Sequence, residues 1–169
     1  MTLTNWQFHA PPRIVFGPGV VKTVGDEAKA LGAKKVLVVT DKGVAGAGIL
    51  AKVVDSLQAA GLETYVFDKV EANPRVGTVE AGYRLFAEKG CDLAIGVGGG
   101  SSMDSAKAIC ILARNPGPIT QYEGANKYPN PPAPSMAVPT TAGTGAEVTQ
   151  TCVVTDPTRN YKVSVRGNT

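Results

Sequence analysis

The chain has 169 residues, of which 43% are hydrophobic and 18% charged, a composition that excludes disorder and a length that buries one substantial core. Its 17 Lys and Arg against 14 Asp and Glu leave a formal charge of +3 with the cations scattered. That is a poor footprint for nucleic acid or an anionic membrane surface, and no apolar stretch approaches bilayer-spanning length. The start, MTLTNWQFHAPPR, has neither the basic opening nor the apolar centre of a signal peptide, so a cytoplasmic location is expected. Cys91, Cys110 and Cys152 are odd in number and form no CxxC pair, which argues for buried or incidental thiols and against a disulfide framework or a zinc ribbon. The single histidine, His9, precedes Pro11 and Pro12 and reads as a surface side chain.

In chain order, the run Ile14, Val15, Phe16 reads as a first strand stopped by Gly17-Pro18-Gly19. A helix follows with Val20, Val21, Val24, Ala28 and Leu31 on one face, closed by Gly32. VLVVT at 36–40 has the near-continuous apolar character of a strand covered on both faces. Ile49, Leu50, Val53, Val54 and Leu57 recur at helical spacing up to Gly61, and Thr64 to Phe67 reads as a strand. After Asn73-Pro74, the positions Val79, Tyr83 and Phe86 predict a helix ending at Gly90; LAIGV at 93–97 predicts another buried strand. The strand runs into Gly98-Gly99-Gly100-Ser101 and then a helix carrying Met103, Ala106, Cys110 and Ala113 on one face, with Pro116 beyond it. The Pro-rich stretch YPNPPAP at 128–134 is a loop before a short strand near Met136 to Val138, the segment PTTAGTGAEVT, and a hairpin of Thr151–Thr155 with Lys162–Val165. This order predicts an α/β fold: a mainly parallel, Rossmann-like sheet with helices on both faces, plus a β-hairpin.

The glycine run carries the strongest chemical signal. Consecutive glycines between a buried strand and a helix let backbone amides approach a phosphate, and the helix N-terminus adds unpaired N–H groups and partial positive charge. Ser101 and Ser102 add hydroxyl donors, which places a pyrophosphate over residues 98 to 102. A simple strand-to-helix turn needs one glycine, not three. Asp41 follows the VLVVT strand, where open α/β sheets bind ligands and a carboxylate can accept ribose hydroxyls; alone it would read as a helix cap. Because it precedes the glycine loop by more than fifty residues, the chain is not wound like the usual dinucleotide fold. Asp104 and Lys107, at i and i+3, read in isolation as an ion pair. Thr140, Thr141 and Thr144 surround Gly143 and Gly145 in a loop suited either to a second phosphate or ribose contact or to a hydroxyl-capped turn. The absence of Gly-Lys-Ser/Thr excludes a P-loop, and one imidazole excludes a Ser-His-Asp triad.

Together, GGGSSMDSAK at 98–107 and PTTAGTGAEVT at 139–149, with FGPG at 16–19 and VTDKG at 39–43, resemble the iron-containing alcohol dehydrogenase family over the whole chain. The resemblance implies that Asp41 holds the adenosine ribose, that Asn73 lies near the adenine side, and that Gly98, Gly99, Gly100, Ser101 and Ser102 bind pyrophosphate. It also implies cofactor contacts from Thr140, Thr141 and Thr144, an approach to the nicotinamide half by Val153 and Lys162, and support from Asp104 and Lys107. The family's second, helical domain presents one Asp and three His to a divalent metal, Fe²⁺ or Zn²⁺, and a single histidine cannot supply that set. Residues 1–169 are therefore expected to be the dinucleotide-binding domain alone, inactive without the metal half. In the intact homo-oligomeric enzyme the implied reaction is hydride transfer between NAD(H) and a primary alcohol or its aldehyde, with NAD preferred to NADP because Asp41 repels a 2′-phosphate. The alternatives are a non-catalytic nucleotide-binding module and a domain of a related glycerol dehydrogenase or dehydroquinate synthase.

Overall fold

A computed structural model describes residues 12–167; His9 and the chain's last two residues lie outside them. The core is a four-stranded parallel sheet of β1 (Lys35–Val39), β2 (Glu63–Phe67), β3 (Leu93–Gly98) and β5 (Ser135–Pro139), in the order β2-β1-β3-β5. The two central strands alternate between two cores, as a pleat requires. Val36, Val38, Leu93, Ile95 and Val97 pack with Val24 and Ala28 of α1 (Val24–Ala30) and Val53 and Leu57 of α3 (Ile49–Ala59). Leu37, Val39 and Ala94 face the other way, toward Val79 and Phe86 of α4 (Val76–Lys89) and Ile109 and Leu112 of α5 (Gly100–Arg114). Burial on both faces is what the unbroken apolar runs at 36–39 and 93–97 require. The expected helices on both sides of a mainly parallel sheet are present.

Five-residue α2 (Lys42–Gly46) was not anticipated, nor was the two-residue strand β4 (Gly124–Ala125). β6 (Thr151–Asp156) and β7 (Tyr161–Arg166) form the expected antiparallel hairpin, which joins β4 in a separate sheet of order β4-β7-β6. Cys152, Val154, Val163 and Val165 bury its inner face against the α4–α5 core. At the turn, Asp156 Oδ1 accepts from the Thr158 hydroxyl at 2.6 Å and from its amide at 2.9 Å, while Oδ2 accepts from Arg159 Nε at 2.7 Å. The Thr158 hydroxyl and then the Arg159 guanidinium hold the Asp156 carboxyl down to about 2. A carboxyl lowered on folding stabilises fully above its unfolded value near ~3.9, and that contribution is lost as pH falls toward ~2. Asp156→Asn is therefore expected to flatten the acid-unfolding curve between pH ~4 and ~2, measured by circular dichroism; a curve of unchanged shape would contradict the coupling.

Ile14, Val15 and Phe16 do not form the expected strand. They are irregular and 62%, 42% and 96% exposed: the chain turns through Gly17 to Gly19 into a 3-10 turn (Val20–Thr23), and among the described residues no strand pairs with them. A three-residue apolar run without an adjacent strand leaves its backbone groups to solvent. The following helix is also shorter than its periodicity predicts: Leu31 is half exposed, while Gly25 supplies the close contact with α3. Its amide donates to Ser56 Oγ at 3.0 Å, and a Cβ at Gly25 would lie 2.3 Å from the Ser56 carbonyl oxygen.

All three cysteines are free and buried. Burial pushes the Cys91 thiol up to about 11 and those of Cys110 and Cys152 up to about 12, which suppresses the thiolate near neutrality. At pH 8, iodoacetamide is expected to leave the folded chain unmodified and to alkylate all three thiols after denaturation, as read by intact mass. Rapid labelling of the native chain would overturn that assignment.

Candidate cofactor cleft

The site forms at the carboxyl ends of the parallel strands, between β1 and β3, where successive crossovers leave in opposite directions. At such a reversal the flanking loops diverge and open a crevice. β1 is followed by Thr40, whose buried hydroxyl donates to Val97 O at 2.8 Å and ties the two strand ends together. Asp41 follows and caps α2, its Oδ1 accepting from Val44 N at 3.0 Å. The capping role and the ligand role are compatible, because Asp41 also lines the cleft. One carboxylate oxygen fixes the side chain; among the described residues the other has no hydrogen-bond partner.

β3 passes into α5 through the glycine run, and the four glycines there serve different ends. A Cβ on Gly96 would lie 2.6 Å from Met103 Cα, so its absence lets α5 rest on β3. Gly98 has φ 145° and would place a Cβ 2.6 Å from Ser102 Oγ, so it too is demanded by the turn. Gly99 and Gly100 are different. Their added Cβ atoms would meet nothing closer than 3.4 Å and 3.6 Å, and Gly99 has φ −78° and ψ −172°, open to any residue. The fold has room for side chains at both positions, and that room is part of the cleft.

No side chain caps α5 and no acid stands in its first turn, so the first amides and their positive dipole end face the cleft unopposed. Ser102 is 1% exposed, and its Oγ has no hydrogen-bond partner among the described residues. The third wall is the threonine segment, joined to the glycine turn by Thr140 N donating to Gly98 O at 2.9 Å. With the loop after β2, Asp68 to Ala72, these elements enclose about 600 Å³. A second cavity of about 260 Å³ adjoins it, lined by Asn73, Pro74, Ser101, Asp104, Val153, Thr155 and Lys162. Ser101 borders both.

The structure thus gathers Asp41, Gly99, Gly100, Ser101, Ser102, Thr140 and Thr141 around the larger cavity, and Asn73, Asp104, Val153 and Lys162 around the smaller. Asn73 stands with Val153 and Lys162 around the smaller cavity, one residue beyond Ala72 of the larger wall. Its left-handed backbone, φ 54°, turns the chain at that boundary. Three expected residues line neither cavity. Gly98 is buried beneath the turn. Thr144 donates its hydroxyl to Glu147 Oε2 at 2.7 Å and accepts from Ala146 N at 3.2 Å, the hydroxyl-capped turn of the plainer reading. Lys107 donates to Asp104 Oδ1 at 3.1 Å and to Thr151 O at 2.7 Å. Burial raises the Asp104 carboxyl, against the opposing pull of Lys107 and of the Val153 amide.

Sequence reasoning missed the loop Asp68 to Ala72. Its signal was positional: it follows β2 directly and must emerge at the same sheet end as Asp41 and the glycine run. Glu71 shapes that loop, accepting from Arg75 N at 3.0 Å and from the Thr78 hydroxyl at 2.8 Å.

A crevice at the strand reversal of an open parallel sheet, with an uncapped helix start behind it, defines a Rossmann-like α/β domain. Comparison with known proteins goes one step further. The chain belongs to the iron-containing alcohol dehydrogenase family, whose pattern matches residues 11–169. It is 45% identical over 163 residues to a choline dehydrogenase of Bacillus subtilis, covering 95% of this chain and 40% of that protein. It is 42% identical over 163 residues to an NAD-dependent methanol dehydrogenase of Bacillus methanolicus, covering 96% of this chain and 42% of that one. Among solved structures, a sulfoacetaldehyde reductase of Bifidobacterium kashiwanohense in complex with NAD⁺ superposes with a TM-score of 0.88 at 32% identity, over 98% of this chain and 44% of that one. The chain therefore spans about two fifths of the length of these relatives. Among the described residues, no helix is long and apolar enough to cross a membrane.

Proposed function

We propose that residues 1–169 are the dinucleotide-binding domain of an NAD-dependent alcohol dehydrogenase that interconverts a primary alcohol and its aldehyde. The observation that carries the reading is the pairing of space and donors at the glycine turn. Gly99 and Gly100 leave room the fold itself does not need, and the Ser102 hydroxyl stands buried and unpartnered beside it. A pyrophosphate supplies acceptors for that hydroxyl and for the first amides of α5. Asp41 is then the ribose acceptor, with Thr140 and Thr141 on the opposite wall, while Ser101 leads toward Asn73, Val153 and Lys162 for the second nucleoside.

A nicotinamide dinucleotide bound in this way supplies the hydride acceptor or donor. The work of the chain is to bind and orient it: the uncapped helix start neutralises phosphate charge, and the Asp41 carboxylate, held by the Val44 amide, fixes the ribose. The residues present do not fit a divalent metal. There is one histidine in the chain, and among the described residues no group of three or more His, Cys, Asp or Glu side chains could hold an ion. No step is therefore assigned to a metal within residues 1–169, and the chain is expected to bind cofactor without oxidising alcohols. The NAD dependence of the methanol dehydrogenase relative and the NAD⁺ of the reductase complex support the same cofactor.

Calorimetric titration tests this. NAD⁺ is expected to bind at least about tenfold more tightly than NADP⁺, a difference of about 1.4 kcal/mol, because a 2′-phosphate would face the Asp41 carboxylate. Asp41→Asn, which keeps a competent cap, is expected to narrow that gap to within about threefold. Absence of NAD⁺ binding to the unaltered chain would overturn the reading, and alcohol turnover by it on addition of Fe²⁺ or Zn²⁺ would overturn the assignment of the metal elsewhere.

A further inference from the structure

The parallel strands deliver their loops to the larger cavity in a fixed order. β2, β1 and β3 are neighbours in the sheet, so the Asp68 to Ala72 loop, Asp41 and the glycine turn follow one another along it. Neighbouring strands lie about 4.8 Å apart. With pyrophosphate over the glycine turn and ribose at Asp41, the same row continues to the base of the first nucleoside, which falls on the loop after β2.

That loop is held against the end of β1. Thr40 N donates to Phe67 O at 2.9 Å, and Val70 N donates to Thr40 O at 3.2 Å. Asp68 and Lys69 therefore form a two-residue tip, bonded on either side to the residue before Asp41. Of the two carboxylates in the loop, Glu71 is already engaged. Its Oε1 accepts from Arg75 N at 3.0 Å and from the Thr78 hydroxyl at 2.8 Å, and its Oε2 accepts from the same hydroxyl at 2.9 Å. Asp68 is half-buried and lines the cavity, and among the described residues its carboxylate makes no hydrogen bond or ion pair. Lys69 lines the cavity too, but it is exposed, and its long flexible stem fixes no donor position. What the tip presents to a base is thus an acceptor held in place and lacking a donor.

We propose that Asp68 determines the base specificity of the first nucleoside: its carboxylate accepts from the 6-amino group of adenine and disfavours a 6-oxo purine, whose carbonyl oxygen would face it. The inference rests on the dinucleotide reading of the cleft and adds to it a discrimination that ribose and phosphate contacts do not supply.

The test is calorimetric titration of the 169-residue chain with NAD⁺ and with nicotinamide hypoxanthine dinucleotide, its 6-oxo analogue. The unaltered chain is expected to bind NAD⁺ about tenfold more tightly. Asp68→Ala is expected to weaken NAD⁺ about tenfold and the analogue by less than about twofold, which closes the gap. Asp68→Asn is expected to narrow it from the other side, strengthening the analogue about threefold, because its amide donates to the 6-oxo group. Both variants are expected to keep the guanidinium midpoint of the unaltered chain, since the Asp68 carboxylate bonds to nothing in the fold. Equal weakening of both ligands by Asp68→Ala would assign Asp68 to the shape of the loop and overturn the proposal, as would equal binding of both by the unaltered chain. Selective weakening of the analogue would overturn it as well, by showing the carboxylate at the N1–H of the 6-oxo base. Failure of the unaltered chain to bind either ligand would instead sink the dinucleotide reading, and the proposal with it.

Discussion

Gly96→Ala is expected to destabilise the fold by about 3 kcal/mol, the upper part of the range for forcing atoms into a filled core. The added methyl would lie 2.6 Å from Met103 Cα, 3.0 Å from Ser102 O and 3.1 Å from Met103 N. All three atoms are backbone, so no side-chain rotation relieves the clash. Relief requires α5 to lift from β3, and β3 is held on both sides, Gly96 being opposite Val39 of β1 and Ala137 of β5. Guanidinium denaturation of the two chains reads the difference directly. A loss below about 1 kcal/mol would mean that the helix seats less closely than the structure shows.

Gly99→Val is expected to behave in the opposite way, with NAD⁺ binding reduced at least about 100-fold, or about 2.7 kcal/mol, on a fold weakened by about 1 kcal/mol. The stability cost comes from placing a poor cap at the start of α5; the nearest contact to a new Cβ is Thr141 Oγ1 at 3.4 Å, an ordinary distance. The binding cost comes from a branched side chain standing in the cleft where the pyrophosphate is placed. Titration calorimetry beside a denaturation curve separates the two effects. NAD⁺ affinity within about threefold of the unaltered chain would show that phosphate does not lie over Gly99.

These two glycines are three residues apart in one run and indistinguishable as letters, yet one serves packing and the other space. The sequence pattern located the run between a buried strand and a helix, because an apolar stretch followed by helical periodicity is visible locally. It also located Asp41 after a β-branched strand, Asp104 beside Lys107, and the hairpin at its turn residues. It could not divide the labour among glycines, since that depends on what a Cβ would touch across the sheet–helix interface. Asn73 shows the same limit: no local pattern reports that a left-handed turn there carries the chain past Ala72 to the smaller cavity.

The N-terminal run Ile14 to Phe16 failed as a strand for a related reason. Apolar β-branched residues suit a strand, but a strand exists only where a neighbour offers its edge, and no local pattern reports neighbours. Lys107 is the converse case. Its ion pair with Asp104 was visible as an i, i+3 spacing, but its bond to Thr151, 44 residues away, was not.

The sequence therefore sufficed for the glycine turn, the parallel α/β order, the buried thiols and the lack of enough histidines for a metal site. Each rests on composition or on periodicity within one element. Tertiary structure alone decided that Gly96 and Gly98 belong to the fold while Gly99 and Gly100 belong to the cleft, that Asp68 to Ala72 form its wall, and that Lys107 secures the hairpin. Those are matters of distance between elements far apart in the chain, and only the folded backbone sets them.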